Sequence, residues 1–166
     1  MIEIREERES DADAVREVND RAFGQDLEGR IVDALRSNGA VTLSLVATLH
    51  GRIVGHILYS PIAIGDAIGA ALGPMAVLPE HQREGIGGRL IEEGRRRLEA
   101  NGCPFVIVLG HDTYYPRFGF VRASVHGITC QWEVPDSVFM IQVLDESTMA
   151  RTSGMAKYRD EFTTSG

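Results

Sequence analysis

The sequence predicts a mixed α/β domain in which a central sheet of about seven strands is flanked by helices. Three observations carry this prediction. Helical apolar periodicity fills residues 10–37, a hairpin signal at His50-Gly51 joins two apolar runs, and the order strand, glycine-rich loop, helix, strand covers residues 70–109. This last order is a βαβ unit, whose strands run parallel with a right-handed crossover. Because 166 residues suit one domain, we assign residues 1–166 to it.

The N-terminal half contains the signals of a short strand, two helices and a hairpin. Apolar residues alternate at the start of the chain, and Ser10 and Asp11 offer N-caps for the first helix. Asn38-Gly39 is a stop signal for the second helix. In chain order we expect a strand, two helices and two strands, at residues 1–6, 10–23, 26–37, 41–49 and 52–64.

The C-terminal half contains strand signals around one long helix. Pro74 lies inside the first of these strands, and a proline cannot donate to a central ladder, so we expect a bulge there. The expected elements are a strand, a helix and three strands, at residues 68–78, 87–100, 105–109, 120–128 and 138–144. One helical turn fits 112–118. Residues 148–166 are polar and small, and we predict a loosely ordered tail.

Composition excludes several classes of function. A formal net charge of −7 repels nucleic acid and anionic membranes, so we expect neither as a partner. The N-terminus lacks a signal-peptide pattern, and no apolar run approaches the ~18 residues of a membrane helix. Cys103 and Cys130 have no metal-site spacing, and two cysteines cannot staple a domain of this size. We therefore expect a cytoplasmic protein without a metal.

The most informative segment is a glycine-rich loop between a strand and a helix. A loop at a helix N-terminus directs backbone N–H groups at one point and binds anions, usually phosphate. The loop lacks the Lys-Ser/Thr ending of a P-loop, and it lacks the last glycine of a dinucleotide fingerprint. The remaining pattern is Q/R-x-x-G-x-G, in the segment Gln82-Arg83-Glu84-Gly85-Ile86-Gly87-Gly88-Arg89.

This loop resembles motif A of the GNAT superfamily of acyl-CoA-dependent N-acyltransferases. A second landmark, Tyr115-Pro116-Arg117-Phe118-Gly119-Phe120, resembles the Y-x-x-x-G-F segment of that family. The strand around His56 and the aromatic run together are most similar to its YhbS-like branch. The resemblance implies a GNAT fold, whose fourth and fifth strands splay apart.

The resemblance also implies acetyl-CoA as the cosubstrate. Met75, Ala76 and Val77 would offer backbone hydrogen bonds to the pantetheine arm and the thioester. Amides of the loop would hold the pyrophosphate, and Arg83 and Arg89 would add positive charge. The cofactor-binding residues expected on this basis are Met75, Ala76, Val77, Gln82, Arg83, Glu84, Gly85, Ile86, Gly87, Gly88 and Arg89.

Tyr115 aligns with the tyrosine that is the general acid of the family. A phenol with a pKa of ~10 keeps its proton at neutral pH and can give it to a departing thiolate. An aromatic packing role is the alternative for Tyr115. The general base stays open between Glu28, His111, Asp112, a water relay and an amine that is already neutral. The sequence assigns no role to His56 or Trp132.

We therefore expect an N-acetyltransferase that acetylates a primary amine of a small molecule or peptide by direct attack on the thioester. A non-catalytic acyl-CoA sensor with the same fold is the alternative, and a scaffold with a purely structural loop is a third class. Homodimers are frequent in the superfamily. The acceptor pocket would form from residues 20–35 and 110–135.

Overall fold

The computed structural model describes residues 1–163, and these form one mixed sheet of nine strands covered by helices. Strands β1 to β9 are Ile2–Glu6, Leu43–Leu49, Arg52–Ile64, Ala67–Val77, Phe105–Leu109, Val121–Arg122, Ile128–Cys130, Phe139–Val143 and Gly154–Lys157. Helices α1 to α4 are Ala12–Phe23, Leu27–Ser37, Ile86–Ala100 and Glu146–Met149. The mixed fold confirms the predicted class, and two short strands account for the larger strand count.

The strands follow the order β1-β2-β3-β4-β5-β8-β6, and β9 pairs with β3 and β7. The β4 and β5 strands are parallel, as the βαβ pattern predicts, whereas the other neighbours along this order are antiparallel. The connecting helix α3 buries Ile86, Leu90, Ile91, Gly94 and Leu98. These residues recur at the helical period, and their burial explains why this segment forms a helix on the sheet.

The helices cover opposite faces of the sheet. A Cβ placed at Gly55 of β3 would lie 3.1 Å from Ile86 and 3.3 Å from Leu90, so this position faces α3. The next residue, His56, contacts Asn19 of α1. Since successive strand residues point to opposite faces, α3 lies on one face and α1 on the other.

The β4 strand carries one extra residue beside Pro74. Ile57 pairs with Met75 and Tyr59 pairs with Leu72, so two steps along β3 match three steps along β4. This irregularity confirms the bulge predicted at Pro74, and the Gly73–Pro74 peptide bond is cis. On its other edge, β4 pairs with β5 only from Ala70 to Leu72. The β4 strand continues to Val77, so a gap opens beyond Leu72.

The sequence prediction of a strand over 120–128 is wrong in its middle. Only Val121–Arg122 pairs with β8, and a 3₁₀ turn follows over Ala123–His126. Gly127, in the left-handed region with a φ of 72°, ends that turn and leads into β7. The turn buries Ala123, so the apolar alternation of this segment is satisfied without a continuous strand.

The prediction of a loose tail over 148–166 is also wrong for the part that the structure describes. Residues 149–163 form the end of α4, the β9 strand and a 3₁₀ turn over Asp160–Phe162, while residues 164–166 lie outside the described residues. We call residues 154–162 the C-terminal strap. It pairs with β3 and β7 and reaches Asn38 at the end of α2. It also buries Ala156 and packs Tyr158 and Phe162 against the core, so polar and apolar contacts both hold it.

None of the helices within residues 1–163 combines the length and the apolar composition that a membrane crossing requires.

A buried polar network joins α1 to the sheet. Asn19 donates from its amide nitrogen to the carbonyl of Val15 at 3.0 Å and to Nδ1 of His56 at 3.1 Å. Since Nδ1 accepts, we assign the hydrogen of the imidazole to Nε2, which lies 2.9 Å from Ser44 Oγ. The Ser44 hydroxyl in turn donates to Glu7 at 2.5 Å. Both ring nitrogens are therefore occupied, which gives His56 a structural role.

We predict that His56 makes stability depend on pH. Complete burial, together with the positive charge of Arg36, lowers the pKa of His56 from 6.5 to about 3. The unfolded chain therefore binds a proton below pH 6.5 that the folded chain does not, and stability falls as the pH drops from 6.5 toward 3. In urea unfolding between pH 7 and pH 5, His56→Gln should reduce this slope by about 1 kcal/mol per pH unit on average, because the unfolded imidazole is only partly protonated near pH 6.5. An unchanged slope in His56→Gln, or an equal change in the control His126→Gln, would contradict the assignment.

We predict that Glu161 stabilises the strap above pH 4.5. Hydrogen bonds from Arg159, and then from the Asn38 amide, lower the pKa of Glu161 from 4.5 to about 2. The stabilisation is present above the ordinary pKa and is lost as the pH falls from 4.5 toward 2. Glu161→Gln should lower the free energy of unfolding by about 1 kcal/mol at pH 7 and by less at pH 3. The exposed neighbour variant Asp160→Asn is the control, and equal losses in both variants at pH 7 would argue against this role.

Candidate functional site

A cavity of about 1380 Å³ occupies the gap between β4 and β5. Its volume exceeds the roughly 300–1,000 Å³ of ordinary small-molecule pockets. Residues from both faces of the sheet line it, namely the glycine-rich loop on the α3 face and the helices α1 and α2 on the other. We call the part beside the loop the loop half and the part beside α2 the α2 half. The cavity therefore offers room for two molecules that meet in the gap.

The glycine-rich loop has the backbone conformation of an anion-binding nest. Arg83 and Gly85 both adopt left-handed conformations, with φ of 66° and 82°, and α3 begins directly afterwards. The first amides of a helix have no partner within the helix, so Ile86 and Gly87 present free donors to the cavity. The Gln82 amide donates to the carbonyl of Val77 at 3.0 Å and ties the loop to the end of β4. The loop is thus ready to accept an anionic group.

Three guanidinium groups line the loop half. Most arginines pair with carboxylates, whereas Arg83, Arg89 and Arg117 form no ion pair with any carboxylate in residues 1–163. Arg117 lies 5.4 Å from the ring centroid of Tyr114, which orients its side chain. In a chain with a net charge of −7, this local group of cations favours an anionic ligand. Sequence reasoning missed Arg117, although it lies inside the aromatic motif.

The structure brings most of the predicted cofactor-binding residues to the cavity. Two residues of the set do not line the cavity. Ala76 is buried beneath α1, with only 3% of its surface exposed, and Glu84 pairs with His81 at 3.2 Å. The residues of the predicted set that do line it are Met75, Val77, Gln82, Arg83, Gly85, Ile86, Gly87, Gly88 and Arg89. Beyond Leu72 the edge of β4 has no pairing with β5, which leaves backbone groups there available to a ligand.

Tyr115 lies in the cavity wall, at the start of a 3₁₀ turn over Tyr115–Phe118 in the segment that follows β5. Its ring is only 8% exposed and packs edge-on against Phe120 and Tyr114, with centroid separations of 5.8 and 5.1 Å. Burial, and then the proximity of Tyr114, raises the pKa of Tyr115 to about 12. A Cβ at Gly110 would lie 2.5 Å from the Tyr115 ring, so only glycine leaves room for this orientation. The phenol therefore stays protonated at neutral pH.

The candidate bases are only partly brought together. Glu28 and His111 line the cavity, whereas Asp112 does not. His56, to which the sequence assigned no role, is enclosed in the network between α1 and the sheet. Within residues 1–163 no group of three or more His, Cys, Asp and Glu side chains is placed to hold a metal ion.

The α2 half has an aromatic wall, of which the sequence prediction of an acceptor pocket from residues 20–35 and 110–135 includes Trp132 but not the strap residues. Trp132 and two residues of the strap, Tyr158 and Phe162, line this half together with Phe23 and Ile31. The available signal was a pair of aromatic residues four positions apart in an otherwise polar tail. The strap thus belongs to the site.

The matching sequence family is described as an acetyltransferase (GNAT) domain, and the match covers residues 41–122. The chain is 39% identical over 153 residues to YjhQ of Escherichia coli K12, an uncharacterized N-acetyltransferase, with 86% of this chain and 84% of YjhQ covered.

Two solved structures are similar over nearly the whole chain. The crystal structure of YhbS, a GNAT family N-acetyltransferase from Escherichia coli in complex with CoA, has a TM-score of 0.95 at 30% identity and covers 99% of this chain and 93% of YhbS. A GNAT family acetyltransferase from Brucella melitensis in complex with acetyl-CoA has a TM-score of 0.82 at 38% identity, with 98% of each chain covered.

Proposed function

The chain belongs to the GNAT family of acetyltransferases, and from this membership we propose that it transfers an acetyl group from acetyl-CoA to a primary amine of a small molecule or peptide. The observation that carries the proposal is the cavity in the β4–β5 gap, which joins an anion-binding loop to a second, apolar compartment. The CoA and acetyl-CoA complexes of similar proteins support the choice of cosubstrate.

The cofactor fits the chemistry of the loop half. CoA is a polyanion, and the free amides of Ile86 and Gly87 with the unpaired Arg83, Arg89 and Arg117 provide complementary donors. The unpaired edge of β4 suits an extended pantetheine arm, which would add to the sheet as a strand does. When bound, the thioester supplies an activated acetyl group.

Transfer requires one bond to form and one to break. The amine nitrogen attacks the thioester carbonyl carbon, and backbone N–H groups on the unpaired edge of β4 would stabilise the oxyanion. The carbon–sulfur bond then breaks, and Tyr115 gives its phenolic proton to the thiolate. The products are an acetamide and free CoA, and the phenol regains a proton from solvent.

The attacking amine must also lose a proton. Glu28 and His111 are the two candidate bases that line the cavity, and either could accept this proton directly or through water. Because β4 contributes Met75, Ala76 and Val77 at this point, no carboxylate of that strand takes the role.

The proposal includes a cytoplasmic location and a homodimer. The two cysteines of the chain, Cys103 and Cys130, are free thiols, which suits a reducing compartment. The homodimer rests on the family resemblance, and sedimentation velocity of the purified chain tests it.

We predict that Gly87→Asp abolishes the binding of acetyl-CoA without unfolding the chain. A Cβ at Gly87 would lie 2.9 Å from the Tyr114 hydroxyl and 3.4 Å from Met75, so a side chain there fills the loop half. An acidic residue in the first turn of a helix does not destabilise it, whereas its charge repels phosphate. Isothermal titration with acetyl-CoA measures the loss, and Ala100→Asp at the other end of α3 is the control. Retained binding by folded Gly87→Asp would contradict the role of the loop.

We predict that Tyr115→Phe lowers kcat by about 100-fold and leaves the affinity for acetyl-CoA unchanged, because a general acid acts on the leaving group only. Since the pKa of Tyr115 is about 12, its ionisation should cause no loss of wild-type rate below pH 10. Steady-state release of CoA at saturating amine measures kcat, and Tyr59→Phe, a buried phenol outside the cavity lining, is the control.

An unchanged kcat in Tyr115→Phe would reject Tyr115 as the acid. Binding of acetyl-CoA without transfer to any amine would instead identify the non-catalytic sensor.

A further inference from the structure

The α2 half of the cavity has the composition of a site for a flat, apolar group. Phe23 of α1 and Ile31 of α2 line it, together with Trp132, Tyr158 and Phe162 from the C-terminal part of the chain. All these side chains except the exposed Phe23 are half-buried, so they combine a fixed position with a surface that faces the cavity. Aromatic walls of this kind bind aromatic rings through stacked or edge-on contacts.

The three aromatic rings form one continuous surface. The centroids of Trp132 and Tyr158 lie 4.8 Å apart with an angle of 39° between the rings, and those of Tyr158 and Phe162 lie 5.4 Å apart in an edge-on arrangement. The Tyr158 hydroxyl is buried and has no hydrogen-bond partner within residues 1–163. Because this hydroxyl is buried, the ring presents its apolar part to the cavity.

The strap holds this surface in place before any ligand binds. Its β9 strand pairs with both β3 and β7, and the Tyr158 amide donates to the Gln131 side chain at 2.6 Å. At the other end, Glu161 accepts a hydrogen bond from Asn38 at 2.7 Å, which anchors the turn containing Phe162. A preorganised surface loses little conformational entropy when a ligand binds, which favours selectivity.

Within residues 1–163, two carboxylates line the cavity. Glu92 lies on α3, where it pairs with Arg95 at 3.5 Å, and Glu28 on α2 is the carboxylate of the α2 half. Glu28 of α2 accepts hydrogen bonds only from the exposed amide of Gln25 within the described residues, at 3.1 Å. The guanidinium groups of the cavity lie in the loop half, with Arg83, Arg89 and Arg117. One negative charge beside an apolar wall matches one ammonium group on an apolar body.

We propose that the acceptor is a monoamine with an aromatic ring, which packs against Trp132, Tyr158 and Phe162 while Glu28 attracts its ammonium group. This inference rests on the proposed acetyl transfer and names the substrate class of the same site. A polyamine would need several carboxylates, and the α2 half provides one.

The first experiment compares three amines as acceptors at saturating acetyl-CoA. 2-Phenylethylamine carries the ring, n-butylamine carries an apolar chain without a ring, and spermidine carries several charges. We expect kcat/KM for 2-phenylethylamine to exceed that of both others by at least about 10-fold, since hydrophobic pockets discriminate single small groups by about 10- to 200-fold. Equal values, or a preference for spermidine, would overturn the proposal.

The second experiment measures binding without turnover. The chain contains one tryptophan, so Trp132 reports on the proposed surface through its fluorescence. With CoA bound, 2-phenylethylamine should change this fluorescence saturably. Phe162→Leu keeps apolar volume in the wall but removes a ring, and it should weaken the binding at least 5-fold. Met155→Ala, on the same strap but outside the cavity lining, is the matched control and should bind as the wild type does.

The outcomes separate the two proposals. Failure of acetyl-CoA to bind the folded protein would overturn the proposed function, and the acceptor assignment with it. Normal binding of acetyl-CoA with efficient transfer to n-butylamine or spermidine, and with no effect of Phe162→Leu, would overturn the acceptor assignment alone.

Discussion

The site depends on the separation of β4 from β5 beyond Leu72. Up to that residue the two strands pair in parallel and form the centre of the sheet. The extra residue beside Pro74 then changes the pairing of β4 with β3, and a proline offers no N–H to a neighbouring strand. Because β4 continues to Val77 without pairing to β5, the backbone edge that a sheet normally satisfies internally borders a cavity instead.

The cavity joins two environments that differ in charge. In the loop half, free helix amides and guanidinium groups create a positive region on a chain with a net charge of −7. In the α2 half, aromatic side chains and the single Glu28 create an apolar region with one negative charge. A polyanionic donor and a cationic, apolar acceptor would therefore enter from opposite faces of the sheet and meet in the gap.

Two glycines, which leave space for neighbouring rings, are as important to this arrangement as the side chains that line the cavity. A Cβ at Gly110 would lie 2.5 Å from the Tyr115 ring, and one at Gly94 would lie 2.2 Å from the Tyr59 hydroxyl. These glycines let two phenol rings pack closely against β5 and α3. Burial then raises the pKa of both phenols, and for Tyr115 this keeps the proton on a group that lines the cavity.

Local signals in the sequence determined the helices α1 to α3, the long strands, the bulge at Pro74 and the loop before α3. Each of these follows from periodicity, a cap or a special backbone residue within a short window. Tyr115 and most of the predicted cofactor-binding residues also lie at the cavity, since they belong to two continuous motifs beside the gap.

Only the tertiary structure decided that the strap belongs to the proposed acceptor side. The strap joins β9 to β3 and β7 across long stretches of chain, and its polar sequence gave no sign of these pairings. Tyr158 and Phe162 are far in sequence from the ranges 20–35 and 110–135 expected for the pocket, so no local pattern could show that they join it. Periodicity reports which face of an element is apolar, whereas the identity of the partner face is fixed by long-range packing.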